Sequence, residues 1–233
     1  MKFKQTLKIM KKIFFILTVI SFSVNALFAQ KAINGVKLPD KMGFAEVVRN
    51  YAGGGVRQEF FVRAYVFGLY MKEKSLDPNV IINADQAMSI RLHMTSNLLT
   101  NKLMEEKIRE GFKKSLNGKV EPYQEMIDVI CGVFSSEPTK VGDVYDIHYT
   151  PGIGVSASKN GKGYDFASLN KDAKAKVKNS QRLEKLLGNL KYTKSGQSAI
   201  PDFGFKKALF GIWFCDTPVD ARLKADVLQG KYQ

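Results

Sequence analysis

The stretch Ala208-Leu-Phe-Gly-Ile-Trp-Phe-Cys-Asp-Thr-Pro-Val-Asp-Ala-Arg-Leu-Lys224 holds the only tryptophan of the chain and gathers large apolar residues around Gly211. Its second half carries a helix-start signal. Asp216 or Thr217 can accept from the free N–H groups of a first turn, and Pro218 suits a position that needs no donor. Far upstream, Gly53-Gly-Gly-Val-Arg57 precedes Phe60-Phe-Val-Arg-Ala-Tyr-Val-Phe-Gly-Leu-Tyr70. Read as one strand, this second stretch has two unlike faces. Phe60, Val62, Ala64, Val66 and Gly68 form a uniform apolar face, while Phe61, Arg63, Tyr65 and Phe67 form an aromatic and cationic one. Arg57 falls on the side of Tyr65 as long as the strand runs unbroken. The uniform face suits packing, and the mixed face suits an apolar pocket with a polar end.

Between and around these blocks, strands and helices alternate without regular βαβ spacing, which predicts an α+β fold with an antiparallel sheet. Ile33–Leu38 contains an Asn-Gly turn, and Phe44–Tyr51 is rich in strand formers. Gly53–Gly55 permit positive φ or the close approach of another backbone. Asp77-Pro78 opens a short helix, and a strand is expected at Ser89–Met94. Thr100 caps a helix whose Met104, Ile108, Phe112 and Leu116 repeat every four residues, so one stripe is buried. A further helix starts at Glu121-Pro122. Val141–Tyr149 and Gly154–Lys159 alternate as strands, and helices are expected at Phe203–Phe214 and Pro218–Leu228.

Residues 1–29 have the form of a secretory leader: five lysines with no acid, then the apolar run Ile13–Val24, then Leu27-Phe-Ala29 before Gln30. An exported, periplasmic or secreted protein is therefore expected, with residues 30–233 as a single domain. The net charge is +14. Five of those charges lie in the leader and a net six in Lys171–Lys194, which leaves three for the rest. A nearly balanced domain with one basic segment is not the footprint of a nucleic-acid binder. That segment reads as a basic helical insertion at about 164–195, separate from the core blocks and dispensable for the fold. It is either a solvated face or a contact for an anionic membrane surface.

No constellation for hydrolysis or metal binding is present. His93 and His148 each lie in a strand without a ligand-spaced partner, so no metal is expected. No glycine motif cradles a phosphate, and no cofactor is implied. Cys131 and Cys215 both read as small core residues, with a bridge between them as the alternative.

The order and spacing of the Gly54–Arg57, Phe60–Tyr70 and Ala208–Lys224 blocks resemble the chalcone isomerase-like family, from about Ile33 to the C-terminus. The resemblance implies an open-faced β-sandwich whose large antiparallel sheet is covered by a layer of helices, with a ligand cleft between them. In the plant enzymes of that family, the cleft is lined by an Arg after a Gly-rich turn, a Thr on the next strand, a helical Tyr–Asn pair and a second Thr in the C-terminal block. Arg57 matches the first. Tyr65 stands at the strand Thr, Ile212 at the second Thr, and Thr100–Leu116 has no Tyr; Asn97 and Asn101 are the nearest asparagines. Losing these donors should leave flavonoid cyclisation negligible. Arg with Tyr is instead what the fatty-acid-binding branch of the family looks like, where the pair grips a carboxylate.

The expected ligand-binding residues are therefore Arg57, Tyr65, Arg63, Phe61, Phe67 and Ile212, with no catalytic residue and a fatty acid or similar amphipathic carboxylate as ligand. Arg63 is the alternative anchor, and Arg57 as a plain surface charge is the competing reading. An isomerase or intramolecular lyase with a rebuilt site, and a structural envelope protein whose cleft is self-filled, are the alternative functions.

Overall fold

The two longest strands, paired within Val47–Met71, set the architecture. The computed structural model describes residues 32–59, 61–169 and 181–232. The leader expected at residues 1–29, Phe60 and the basic run 170–180 lie outside them.

Strands β1 (Ala32–Ile33) and β2 (Val36–Lys37) form a small hairpin turned at Asn34-Gly35. The main sheet has seven antiparallel strands in chain order: β3 (Lys41–Phe44), β4 (Val47–Glu59), β5 (Val62–Met71), β6 (Met88–Met94), β7 (Val144–Thr150), β8 (Gly154–Lys159) and β9 (Lys162–Gly163). Each neighbour in the sheet is thus a neighbour in sequence. The helices are α1 (Pro78–Asn83), α2 (Asn101–Ser115), α3 (Gln124–Ser135, after a 3-10 turn at Glu121–Tyr123), α4 (Phe166–Leu169), α5 (Gln181–Gly188), α6 (Phe203–Phe214) and α7 (Ala221–Leu228). A ribbon of β10 (Lys191–Tyr192) and β11 (Ser198–Ala199) leads into α6.

The two sheet faces differ chemically. Phe67, Leu69, Ile90, Leu92 and Ile147 join the helices in the main core, while Val66 packs with Ile33 and Leu38 on the other side. On that second side, Tyr51, Tyr70, Ser89, His148 and Ser156 form one row across five strands, each opposite the next. Arg49 is buried beside them and donates to Phe44 O, Tyr149 O and Thr150 Oγ1.

Thr100 and Asp77 cap α2 and α1 as their positions predict, each accepting from a first-turn N–H. Three expectations change. The stretch Phe60–Tyr70 is not one strand: Glu59 pairs with Val62, so the chain reverses between them and the three glycines lie inside β4. Those glycines admit close packing. A Cβ on Gly53 would sit 2.6 Å from Val227 O, and one on Gly55 2.8 Å from Leu223 Cδ1, both on α7. The cap of α7 is Asp220 rather than Asp216 or Thr217; its Oδ1 accepts from Arg222 N and Leu223 N at 2.9 and 3.0 Å. Helix formation is delayed because Val219 N first bonds back to Ile212 O, which folds the connection against α6. Finally, α5 is no detached insertion, since Leu183 and Leu186 lie in the main core. Cys131 and Cys215 are free thiols, the first buried and the second half-buried.

Candidate functional site

The β4–β5 hairpin sets Arg57 directly opposite Tyr65. Cross-strand partners share a face, so both side chains project toward the helices. The same-face expectation for this pair was reached along an unbroken strand; the hairpin achieves it by register. Together they stand at one end of a cleft of about 580 Å³, counted out to its open mouth. Its walls are apolar: Leu92 and Ile147 from the sheet, Met104 and Ile108 from α2, Ile130 and Phe134 from α3, and Leu209, Ile212 and Trp213 from α6. The lining, apolar walls with a few convergent polar groups, is of the kind found at small-molecule sites.

Two polar groups define the cleft's chemistry. Trp213 Nε1 lies 3.1 Å from Tyr65 Oη, and an indole N–H can only donate. Tyr65 is therefore the acceptor, and its own hydroxyl proton has no partner among the described residues. Burial raises its pKa, so the phenol stays protonated and able to donate. Arg57 donates to Gln58 O at 2.7 Å, to Asp220 Oδ2 at 3.1 Å and to Glu59 Oε2. Of the five N–H bonds of a guanidinium, these three contacts leave two unclaimed.

Arg57 is not an isolated cation. Lys107 Nζ reaches Glu59 Oε1 at 2.8 Å and Glu110 Oε2 at 3.4 Å, so Arg57 and Lys107 share the carboxylates of Glu59, Asp220 and Glu110 at the mouth. The network ties β4 to α2 through Lys107 and to α7 through Asp220.

Of the six residues expected to bind ligand, Arg57, Tyr65 and Ile212 line the cleft. Phe67 lies behind its wall, packed on Trp213 and Phe214 with ring centroids 5.6 and 6.1 Å apart. Phe61 stands at the hairpin tip in solvent, and Arg63 is exposed with its guanidinium on Asn34 Oδ1 at 2.6 Å. Both leave the cleft because the chain reverses at the tip and the register shifts between Arg57 and Gln58, which twists the strand ends. Asn97 is exposed, and Asn101 is engaged with Glu137 O and Thr139 N.

Sequence reasoning missed Glu59, Lys107, Asp220 and Trp213 as site residues. Glu59 was within reach, since a spacing of two from Arg57 puts both on one strand face. Lys107 and Asp220 carry no local signal, because they meet Arg57 and Glu59 only through packing of separate elements.

No curated protein matches the sequence. Among solved structures, a fatty-acid binding protein of Arabidopsis thaliana is similar with a TM-score of 0.55 and 15% identity, over 85% of this chain and 94% of that one. At that identity the likeness concerns the fold: a large curled antiparallel sheet layered with helices. The family described as chalcone isomerase-like matches residues 30–172, more than half of the chain. With the fold and the sequence in agreement, the chain belongs to the chalcone isomerase-like family.

Proposed function

We propose that this protein binds an amphipathic ligand, a fatty acid in the simplest case, in the cleft between sheet and helices and does not turn it over. The observation that carries this reading is the Tyr65 hydroxyl. Trp213 holds it as an acceptor, which leaves its proton free toward an apolar cleft beside the two unclaimed N–H groups of Arg57. A headgroup that accepts hydrogen bonds satisfies all three donors, and the walls take the chain. The ligand named for the Arabidopsis protein of similar fold is of this kind. Ile212 offers no hydroxyl to a polar polyphenol. On the reading of residues 1–29 as a leader, we further propose that the protein works outside the cytoplasm.

A second reading, an intramolecular lyase of the isomerase type, draws on the same phenol, since an O–H that donates to a carboxylate can also polarise a ketone. Turnover of a chalcone above the buffer rate, lost in Tyr65→Phe, would favour it.

Titration with a fluorescent fatty acid tests the binding reading. Arg57→Gln should weaken binding by about 1.5–3 kcal/mol, the range of a charge-assisted bond. Glu59→Gln should strengthen it, because it removes an anion that competes for Arg57. Unchanged affinity in both variants would exclude a carboxylate at this end of the cleft.

A further inference from the structure

The three most exposed large apolar side chains among the described residues are Phe61, Leu98 and Val141, at 98%, 62% and 60%. All three fall at one end of the molecule. Phe61 is at the tip of the β4–β5 hairpin. Leu98 follows the loop that hydrogen-bonds to Arg63 O and Ala64 O through Thr95. Val141 precedes Gly142, whose N–H bonds to Met94 O at the same end of β6. This is also the end where the cleft opens, since Glu59 and Lys107 are the most exposed of its polar lining residues. Leu98 and Leu99 divide there, the first in solvent and the second in the cleft wall.

Turn chemistry does not explain Phe61. A two-residue hairpin loop favours Asn-Gly, because positive φ is needed and a polar tip is solvated. The chain meets that demand with Asn-Gly at Asn34-Gly35 and Asn160-Gly161, and with the small or polar pair Ala45-Glu46 at the β3–β4 turn, all with positive φ. It departs from it at the hairpin beside the cleft mouth, where the large apolar side chain of Phe61 is left in water. Departures from local rules of this kind concentrate at functional surfaces. Around the apolar tips stand Arg63, Lys102 and Lys140, all exposed, with Glu137 as the carboxylate of the neighbouring loop.

We propose that this rim docks on the surface of an anionic lipid bilayer, with Phe61, Leu98 and Val141 inserted at the interface and the three cations against the headgroups. Apolar tips with flanking cations are what interfacial binding requires. The rim surrounds the mouth, so a docked molecule exchanges an acyl ligand with the bilayer without carrying it through water. Exchange rests on the lipid-binding reading above; docking does not.

Sedimentation with phosphatidylcholine vesicles, with and without phosphatidylglycerol, tests this on the compact unit beginning at Ala32. Partition should require phosphatidylglycerol and weaken as salt rises. Phe61→Ser should lower the partition coefficient about tenfold, and Arg63→Gln with Lys102→Gln should remove most of the phosphatidylglycerol dependence. Binding of a soluble fluorescent fatty acid to the Phe61→Ser cleft should stay unchanged, while its transfer from vesicles slows. Equal partition of wild type and Phe61→Ser, or none by either, would overturn the proposal. Self-association that disappears in Phe61→Ser would assign the rim to a second copy instead. If rim-dependent partition persists where soluble fatty acid does not bind, docking stands and the ligand reading fails.

Discussion

His148 sits in a β-strand with its ring stacked on Phe44 at 3.9 Å and its Nδ1 2.8 Å from Ser89 Oγ. Burial, with Arg49 and Arg91 nearby, lowers its pKa to about 3. In the unfolded chain an imidazole titrates near 6.5. Between those values the unfolded chain binds a proton that the folded one refuses, so this residue's contribution is present above pH 6.5 and is lost as pH falls toward 3. It should account for about 2 kcal/mol of the stability lost between pH 7 and 5, at about 1.4 kcal/mol per unit. Urea unfolding at the two pH values should therefore show a smaller loss in His148→Gln than in the wild type, whatever the variant's absolute stability. The sequence identified His148 as a strand residue without ligand-spaced partners. It gave no sign of the arginines on either side, since Arg49 lies on β4 and Arg91 on β6. The same limit applies to Arg57: its cation was evident from sequence, its neutralising partner Asp220 was not.

At the scale of the element, α6 contributes more than a cleft wall. Its Lys206 is fully buried and donates to Ile81 O, Ile82 O and Ala84 O at 2.9, 2.8 and 2.9 Å, so it closes the C-terminal end of α1. That helix has no basic residue in its own last turn, and the carbonyls left open there attract a cation. The rings of Tyr149, Phe203 and Phe210 stand 5.0–5.6 Å from the ammonium. Burial lowers the pKa of Lys206 to about 8. The unfolded lysine holds its proton to about 10.4, so between those values the unfolded state binds more protons and stability rises with pH. Unfolding free energy should thus increase from about pH 8 to 10, and Lys206→Met should abolish the increase. The variant should also lose about 2–4 kcal/mol at neutral pH, because carbonyls are left unpaired. Helix Phe203–Phe214 was legible from its apolar composition. Which of the adjacent Lys206 and Lys207 would be buried was not, because the position of α1 decides it.

For the whole molecule, the basic segment is the clearest test of what counts as core. Its lysines suggested an insertion that the fold could lose. Leu183 and Leu186 of α5, and Leu190 after it, are instead buried in the main cluster, and Lys194 pairs with Glu46 at 2.7 Å. Leu183→Ala should cost about 2–4 kcal/mol and move a single cooperative transition rather than split it, as followed by circular dichroism and tryptophan fluorescence together. A variant with wild-type stability would return α5 to the status of an appendage. The sequence by itself determined the helices α1, α2, α3, α6 and α7, the strands β6, β7 and β8, their order, the caps of α1 and α2 and the α+β class. Those follow from periodicity, turn residues and short-range hydrogen bonding, which act within a few residues. Only the tertiary structure decided that Phe60–Tyr70 begins in a hairpin, that Phe61 and Arg63 leave the cleft, that Asp220 neutralises Arg57 and that Lys107 joins Glu59. These depend on which separate surfaces meet. A residue's own neighbours in sequence state how much of it wants burial, but they do not name the partner that buries or neutralises it.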